Sequence, residues 1–368
     1  MKYDMEQELM ELLAQIAPPD REAMDRARAW QARLAKPPGS LGRLEELSVQ
    51  LAGITGSVHN RIDKKHLLVF AADNGVVAQG VSSAPQSVTL QQTLNLTRAK
   101  TGASVLARHF GCDITVCDVG VNADIRDSAV LNRKISYGTA DITAGPAMTR
   151  RQALQALRTG FSLAASIDAD VLGVGEMGIG NTTTSSAVLA VLLNVGAETV
   201  TGRGGGLTDE AFEKKKLVIA RAIERNRPDA ANVVDVMAKV GGFDIAAMCG
   251  AFLGAAATHR PAVIDGFISA VAALCAVRLC PDAAAYLVPS HASFEIGYRL
   301  AMDAIGLRPM LMLGMRLGEG SGCPLAFCVL DAACAIINDM ATFDQAGIDD
   351  GYLEDIRRGD RFTVEGRS

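Results

Sequence analysis

The residues best suited to chemistry lie in glycine-rich turns. The first of these turns, Gly173–Thr184, reads GVGEMGIGNTTT and follows an apolar run typical of a strand. Glycines there allow backbone N–H groups to approach a phosphate, and a helix that begins in the turn adds partial positive charge. Asn181, Thr182 and Thr183 are typical N-cap residues whose side chains can also donate to phosphate oxygens. The turn is therefore predicted to bind a phosphorylated ligand.

The same segment leaves two alternatives open. A literal GxGxxG stands at Gly173, Gly175 and Gly178, and an acidic residue, Glu198, follows about twenty residues later, as in dinucleotide-binding dehydrogenases. However, the match lies in mid-chain, and Glu198 precedes another glycine-rich turn instead of clearly ending a strand. The second alternative is a capped turn that binds no ligand.

Two further turns carry charged residues. Gly202–Leu207 precedes a helix with the lysine run Lys214–Lys216, one of which could reach a phosphate, although spacing does not say which. Arg316–Gly322 carries Glu319 between two glycines, with an apolar strand before it and an apolar helix after it. Such surroundings desolvate a carboxyl group and raise its pKa, which suits general acid–base chemistry. An acidic residue without a catalytic role at a helix N-terminus would show the same pattern.

An α/β framework is predicted to position these turns. From His66 onward, short apolar runs alternate with helical segments, and most runs are apolar on both faces, which is typical of a parallel sheet with helices on both faces. Most of the runs end in Gly, Asp or Ser before a helix, which indicates βαβ units in a doubly wound sheet that binds ligands at the carboxyl ends of its strands. The predicted strands are Leu67–Ala72, Ile114–Val119, Val171–Val174, Ala262–Ile264, Ala285–Val288 and Met310–Leu313.

The beginning of the chain lacks this alternation and shows only helical spacing. Residues 1–60 are therefore predicted to form a small helical subdomain, which we expect residues 345–368 to complete. Residues 61–344 are predicted to form the large α/β domain. The helices predicted in the small subdomain are Met5–Ile16, Arg21–Ala35 and Arg43–Gly53.

Composition excludes several classes of protein. The chain has 368 residues, of which 49% are hydrophobic, so it can bury a sizeable core. A net charge of −5 disfavours nucleic acid as a partner. No apolar run reaches the roughly 18 residues of a membrane span, and the acidic N-terminus does not resemble a signal peptide, so we expect a cytoplasmic protein that does not bind membranes. The 8 cysteines form no CxxC pair and the 5 histidines show no metal-ligand spacing, which predicts free thiols and no metal site. We also expect no cofactor.

An ordered series of motifs resembles the nicotinate-nucleotide–dimethylbenzimidazole phosphoribosyltransferases. The motifs are Lys36–Gly42 (KPPGSLG), Gly75–Val81, Gly175–Thr183, Gly241–Met248, Leu317–Gly322 and Met340–Phe343. The resemblance implies a Rossmann-like parallel sheet plus a small helical domain, and a homodimer with active sites near the subunit interface. A heterodimer with a paralogue is the alternative. The implied reaction moves the 5-phosphoribosyl group of nicotinate mononucleotide to a ring nitrogen of a benzimidazole, releasing nicotinate and forming an α-linked ribotide for cobamide (vitamin B12) biosynthesis.

The resemblance also implies roles for individual residues. Glu319 corresponds to the general base that takes the proton of the attacking base. Glu176 and Ser293 correspond to positions beside the ribose, and Lys215 is the lysine of its run that matches the phosphate-binding position. The nucleotide-binding set is Glu176, Gly178, Gly180, Asn181, Thr182, Gly204, Lys215 and Ser293, and the base-binding set is Ser83, Gln91, Met177 and Leu317.

Some positions depart from the family pattern around this predicted pocket. Asn74 replaces a usual His, Gly205 a usual Thr, Asp244 a usual Glu and Cys323 a usual Ala, and Glu295–Tyr298 reads EIGY instead of EPGH. The attacking base is therefore left open among dimethylbenzimidazole, other benzimidazoles, purines and phenolics. A non-catalytic or partner-dependent subunit of a heteromeric enzyme is the main alternative to an enzyme that acts alone.

Overall fold

The structure, a computed structural model, describes residues 5–354. Its strands are β1 (Lys65–Ala72), β2 (Asp113–Gly120), β3 (Val130–Asn132), β4 (Val171–Met177), β5 (Ala262–Ile264) and β6 (Leu287–Pro289). They form one parallel sheet of 6 strands in the order β3-β2-β1-β4-β5-β6. The chain runs outward from β1 on one side and from β4 on the other, so the topology reverses between these two strands. Ligands of doubly wound sheets bind at the carboxyl ends of the strands near such a reversal.

Helices on both faces of the sheet complete the predicted Rossmann-like α/β fold. The α-helices are α1 (Met5–Leu13), α2 (Arg21–Gln31), α3 (Arg43–Thr55), α4 (Ser87–Thr97), α5 (Gly102–His109), α6 (Arg150–Ser166), α7 (Asn181–Leu193), α8 (Ala197–Val200), α9 (Asp209–Asn226), α10 (Val233–Val240), α11 (Phe243–Ala257), α12 (Phe267–Leu279), α13 (Ile296–Ile305), α14 (Cys323–Asp339) and α15 (Phe343–Ala346). Within residues 5–354, no helix combines the length and the apolar character needed to cross a membrane.

The predicted strands match the sheet except at its edges. The prediction of a strand at Met310–Leu313 is wrong. In this segment one residue, Leu311, forms an isolated parallel β-bridge with His291, and no strand continues from it. Met312 and Leu313 are exposed, so this apolar run does not belong to the buried sheet. The edge strand β3 was not predicted, because only Val130 of its three residues is buried and the strand therefore lacks the fully apolar run of a central strand.

The chain divides into two compact units. One contains residues up to Pro18 together with Asp63–Ala326, and the other contains Pro19–Ile62 together with the chain from Phe327 onward. These bounds differ from the predicted ones at both ends. Helix α1 belongs to the α/β unit, where Glu6 and Glu8 pair with arginines of α6.

The second unit is helical, as its sequence spacing indicates, and it includes most of α14. There Trp30 donates its indole N–H to the backbone oxygen of Ile337 at 2.8 Å. Sequence spacing identifies such helices but does not say which unit they pack in, and this explains the shifted boundary. The prediction for the tail concerns residues 345–368, of which 355–368 lie outside the described residues.

Candidate active site

A cleft of about 180 Å³ opens at the carboxyl edge of the sheet. Its lining comes from the turns that follow β4, β5 and β6 and from three further segments: Val81–Ala84, Arg203–Leu207 and Arg316–Gly318. The predicted site residues that line it are Ser83, Glu176, Met177, Gly178, Gly180, Asn181, Thr182, Gly204, Ser293 and Leu317. Glu319, Lys215 and Gln91 are not among its lining residues.

Glu319 lies next to the cleft lining, in the turn after Gly318. Its side chain is buried, with Oε2 accepting from the backbone N–H of Ala103 at 3.3 Å and Oε1 accepting from Nε2 of Gln92 at 3.4 Å. Burial raises the pKa of Glu319, although these hydrogen bonds and one from Thr101 oppose the shift. A buried carboxylate with a raised pKa is suited to accept a proton near neutral pH.

Lys215 is the buried member of its lysine run. Its Nζ donates to Oγ1 of Thr182 at 2.9 Å and to the backbone oxygen of Gly202 at 3.1 Å. Burial lowers the pKa of Lys215 to about 8, against the opposing charge of Glu295. Lys215 therefore remains mostly cationic at pH 7, and it lies beside the glycine turn and the N-terminus of α7. Its neighbour Lys216 instead pairs with Glu213 on the surface of the helix.

Gln92, and not the predicted residue Gln91, contacts Glu319 in the structure. Gln91 is exposed on α4, whereas Gln92 contacts the carboxyl group of Glu319. Consecutive helix residues are rotated by roughly 100°, so the two side chains point in different directions. The buried positions Thr89 and Thr93 place Gln92 nearer the inner face of the helix, and this helical phase is visible only in the structure. A role for Gln91 in base binding stays a prediction.

A pair of buried carboxyl groups shares one amide. Nδ2 of Asn181 donates to Oε2 of Glu176 and, at 3.1 Å, to Oδ2 of Asp244. Burial raises the pKa of Glu176 to about 8, and the charge of Asp244 adds to the shift. Burial likewise raises the pKa of Asp244 to about 6. Glu176 is therefore protonated at neutral pH, and a cation bound beside it would favour its ionised form.

Asp265 lines the cleft but was not among the predicted site residues. It follows β5 directly, and its position at a strand end was the one sequence signal for it. Its carboxylate accepts from the backbone N–H groups of Gly320 at 3.0 Å and Gly322 at 2.7 Å. Asp265 thus binds the turn that carries Glu319.

Only the third glycine of the GxGxxG match, Gly178, lies in the turn after β4. Gly173 and Gly175 lie inside β4. A Cβ on Gly173 would approach Cβ of Cys323 to 2.6 Å, and one on Gly175 would approach the backbone oxygen of Glu319 to 2.7 Å. These glycines therefore admit close packing of the Glu319 turn and of Cys323 against the sheet. With Glu198 in the short helix α8, the geometry of a dinucleotide fingerprint is missing, and the dehydrogenase alternative is wrong.

Comparison with known families identifies the class of enzyme. Residues 16–348 match a family model described as phosphoribosyltransferase. The α/β fold and the cleft therefore belong to a phosphoribosyltransferase, an enzyme of the glycosyltransferase type.

Relatives and solved structures narrow this class. A nicotinate-nucleotide–dimethylbenzimidazole phosphoribosyltransferase of Clostridium tetani is 46% identical over 95% of this chain and 98% of its own length. One from Clostridium perfringens is 48% identical over 97% of this chain and 99% of its own length. A crystal structure of the nicotinate-nucleotide–dimethylbenzimidazole phosphoribosyltransferase from Thermus thermophilus superposes with a TM-score of 0.85. Its sequence is 39% identical, and the match covers 90% of this chain and 100% of the Thermus chain. This chain belongs to the nicotinate-nucleotide–dimethylbenzimidazole phosphoribosyltransferase family, as its motifs indicated.

Proposed function

We propose that this protein transfers the 5-phosphoribosyl group of nicotinate mononucleotide to a lower-ligand base, working in the cytoplasm on small-molecule substrates. The observation that carries the proposal is the buried carboxyl group of Glu319, whose pKa is raised by burial, beside a cleft that glycine-rich turns line. The names of the relatives give nicotinate nucleotide and dimethylbenzimidazole as substrates of those proteins. The product is an α-linked ribotide for cobamide biosynthesis.

The nucleotide is proposed to bind along the turns after β4 and before α9. Backbone N–H groups at Gly178 and Gly204 and the ammonium group of Lys215 bind the phosphate, supported by the N-terminus of α7. Glu176 and Ser293, which both line the cleft, contact the ribose. This arrangement leaves the anomeric carbon facing the carboxyl-rich part of the cleft.

The proposed chemistry is one displacement at the anomeric carbon. A ring nitrogen of the base attacks the anomeric carbon while the bond from this carbon to the pyridinium nitrogen breaks. The bonding electrons neutralise the pyridinium nitrogen, and nicotinate departs as its carboxylate anion. The proton of the attacking base passes to Glu319. Positive charge builds up on the ribose in an oxocarbenium-like transition state, which the carboxylate of Glu176 stabilises.

The attacking base is proposed to lie between Ser83, Met177 and Leu317, which line the cleft. This set combines one hydroxyl group with two flexible apolar side chains and is compatible with dimethylbenzimidazole, other benzimidazoles, purines or phenolics. A phenolic base would attack through oxygen and would also transfer a proton to Glu319. The pocket therefore supports an aromatic nucleophile without selecting one of these classes.

A partner-dependent subunit is the second candidate. Tyr298 stands where the family usually has His, and its buried hydroxyl group has no hydrogen-bond partner among the described residues. Exposed apolar side chains of the α/β unit support a proposed homodimer, with a heterodimer as the alternative.

The decisive experiment combines the purified protein with nicotinate mononucleotide and a panel of dimethylbenzimidazole, adenine, phenol and p-cresol. Nicotinate release and the mass of the ribotide are measured together. We expect a ribotide from at least one base, and its mass identifies that base. Nucleotide binding without product from any base would instead favour the partner-dependent subunit.

The matched variants in this assay are Glu319→Gln and Glu224→Gln. Glu319→Gln should lower kcat by roughly 10²- to 10⁴-fold with nucleotide binding retained, because the proton acceptor is lost. Glu224 is exposed on α9, so its variant should keep wild-type turnover. Unchanged turnover of Glu319→Gln would exclude Glu319 as the base.

A further inference from the structure

The turn that carries Glu319 adopts an unusual backbone conformation. Gly318, Glu319 and Gly320 have φ angles of +84°, +63° and +85°. A non-glycine residue in this left-handed region is uncommon, and it persists only where the surrounding contacts hold it. The direction of the Glu319 side chain therefore depends on whatever fixes this turn.

Carboxylates from two neighbouring strands hold the backbone of the turn. Oδ2 of Asp265 accepts from Gly320 N–H at 3.0 Å, and Oδ1 accepts from Gly322 N–H at 2.7 Å. Oε1 of Glu176 accepts from Glu319 N–H at 3.3 Å. The shorter of these contacts belong to Asp265, which binds the amides on the C-terminal side of Glu319.

Asp265 is itself fixed by a chain of buried hydrogen bonds. Its backbone N–H donates to Oγ of Ser269 at 3.2 Å, and that hydroxyl donates to the backbone oxygen of Val174 in β4 at 3.0 Å. Oγ of Ser290 donates to the backbone oxygen of Asp265 at 3.1 Å. These bonds hold the backbone of Asp265, from which its carboxylate reaches the turn that carries Glu319.

We propose that Asp265 is a positioning residue for catalysis: its carboxylate holds the strained turn so that Glu319 points at the attacking base. The kinetic part of this inference rests on the proposed function. Asp265 takes no proton and touches no reacting atom in this role. Its effect passes through the backbone of Gly320 and Gly322.

Asp265 also affects Glu319 through its charge. The titratable groups that face it are Glu176, His291, Tyr298, Glu319 and Cys323. Burial lowers the pKa of His291 to about 4, so this neighbour is neutral near pH 7. Burial raises the pKa of Asp265 to about 7, and the charge of Glu319 adds to the shift. Since the interaction is mutual, loss of the Asp265 charge should lower the pKa of Glu319.

The test is Asp265→Asn, which keeps the shape of the side chain. The side-chain oxygen of the new asparagine can still accept from one of the two backbone N–H groups, of Gly320 or Gly322. Its NH₂ group is a donor and cannot accept from the second N–H, so the turn loses one of these hydrogen bonds. We expect kcat to fall roughly tenfold to hundredfold, as for a slightly misplaced catalytic group. The KM for nicotinate mononucleotide should change little, and the acid limb of the kcat profile should move to lower pH.

Asp118 provides a matched control in the same sheet. It is buried at the end of β2, and its Oδ1 accepts from Gly120 N–H at 3.0 Å and Val121 N–H at 2.8 Å. It also pairs with Lys134, so Asp118→Asn should destabilise the protein at least as much as Asp265→Asn. Turnover per folded molecule and the pH profile of Asp118→Asn should nevertheless stay at wild-type values, because Asp118 does not line the cleft.

The outcomes separate this inference from the proposed function. Asp265→Asn with lower thermal stability but unchanged kcat and acid limb would overturn the positioning role. If the wild-type protein makes no ribotide, the proposed function fails, and hydrogen exchange of the amides of Gly320 and Gly322 decides instead. Faster exchange there in Asp265→Asn than in Asp118→Asn supports the anchor, and equal exchange refutes it.

Discussion

At the scale of residues, the site collects buried carboxyl groups whose pKa values are raised. Glu176 and Asp265 line the cleft, and Asp244 shares the amide of Asn181 with Glu176. Desolvation of this kind disfavours the charged form of a carboxyl group, and a nearby positive charge reverses the effect. The site is thus complementary to a cation, and in the proposed reaction the pyridinium of the nucleotide and the oxocarbenium-like transition state would supply one.

Nucleotide binding should therefore release a proton from Glu176. Burial raises the pKa of Glu176 to about 8, so its carboxyl group is protonated at pH 7 without ligand, and the pyridinium charge should lower that pKa. As the pH increases from 7 towards 8, affinity for nicotinate mononucleotide should rise relative to affinity for ribose 5-phosphate, because deprotonation of Lys215 weakens phosphate binding for both ligands. Calorimetry at pH 7 in two buffers of different ionisation enthalpy counts the protons released.

Ribose 5-phosphate is the control ligand for this prediction. It carries the same phosphate, so protonation linked to Lys215 is common to both ligands, but it has no pyridinium. Proton release should be smaller with ribose 5-phosphate and should disappear for the nucleotide in Glu176→Gln. Equal release with both ligands would contradict the role of Glu176.

At the scale of elements, sequence patterns located the central strands because these are apolar on both faces. Strands β1, β2, β4 and β5 all contain the predicted runs. The same rule failed at Met310–Leu313, where apolar residues are exposed instead of buried. Hydropathy reports that a residue is apolar and does not report which surface covers it.

From local sequence patterns alone, the site was predictable only where its residues share a turn, whereas Ser83, Ser293 and Leu317 were predicted from the family resemblance. Glu176, Asn181 and Thr182 come from one continuous motif, and the structure places all three in the cleft. Asp265 and Gln92 contact the Glu319 turn from distant parts of the chain. No local pattern encodes such contacts, because they depend on how the strands and α4 are arranged in space.

The packing of α6 against α11 depends on glycine. A Cβ on Gly160 would lie 1.7 Å from the backbone oxygen of Ala247, and one on Gly250 would lie 1.8 Å from the backbone oxygen of Leu157. The two helices therefore touch through their backbones. Because α11 also packs on the sheet, the contact between α6 and α11 determines how closely α6 approaches the sheet.

Gly160→Ala should destabilise the protein although alanine favours helices. The added methyl group must push the helices apart, and such overpacking costs about 1–3 kcal/mol or more. Urea denaturation should show a lower free energy of unfolding, whereas Gly145→Ala, which has no atom within 4 Å of the new Cβ, should change it by less than about 0.5 kcal/mol. Equal stability of both variants would mean that the helices can separate without cost.

At the scale of the whole molecule, exposed apolar side chains form a patch beside the cleft. The backbone of Phe294 donates to Met315 at 3.1 Å and that of Ala292 donates to Leu311 at 2.8 Å, so the two segments run side by side. The patch consists of Phe294, Ile296, Met312, Leu313 and Leu317. Large exposed apolar patches commonly mark protein interfaces, and Leu317 also lines the cleft. A second copy bound here would adjoin the active site, consistent with the proposed homodimer.

Leu313→Glu tests this assembly, because Leu313 belongs to the patch but does not line the cleft. A charge there would have to be buried without a partner in the dimer, so we expect sedimentation at 38.6 kDa instead of twice that mass. Leu217→Glu is the control, since Leu217 is equally apolar and 71% exposed but lies on α9, outside the patch. If Leu313→Glu alone becomes monomeric and also loses turnover, the interface completes the active site. A wild-type monomer, or an unchanged dimer in Leu313→Glu, would show that the patch does not join two copies.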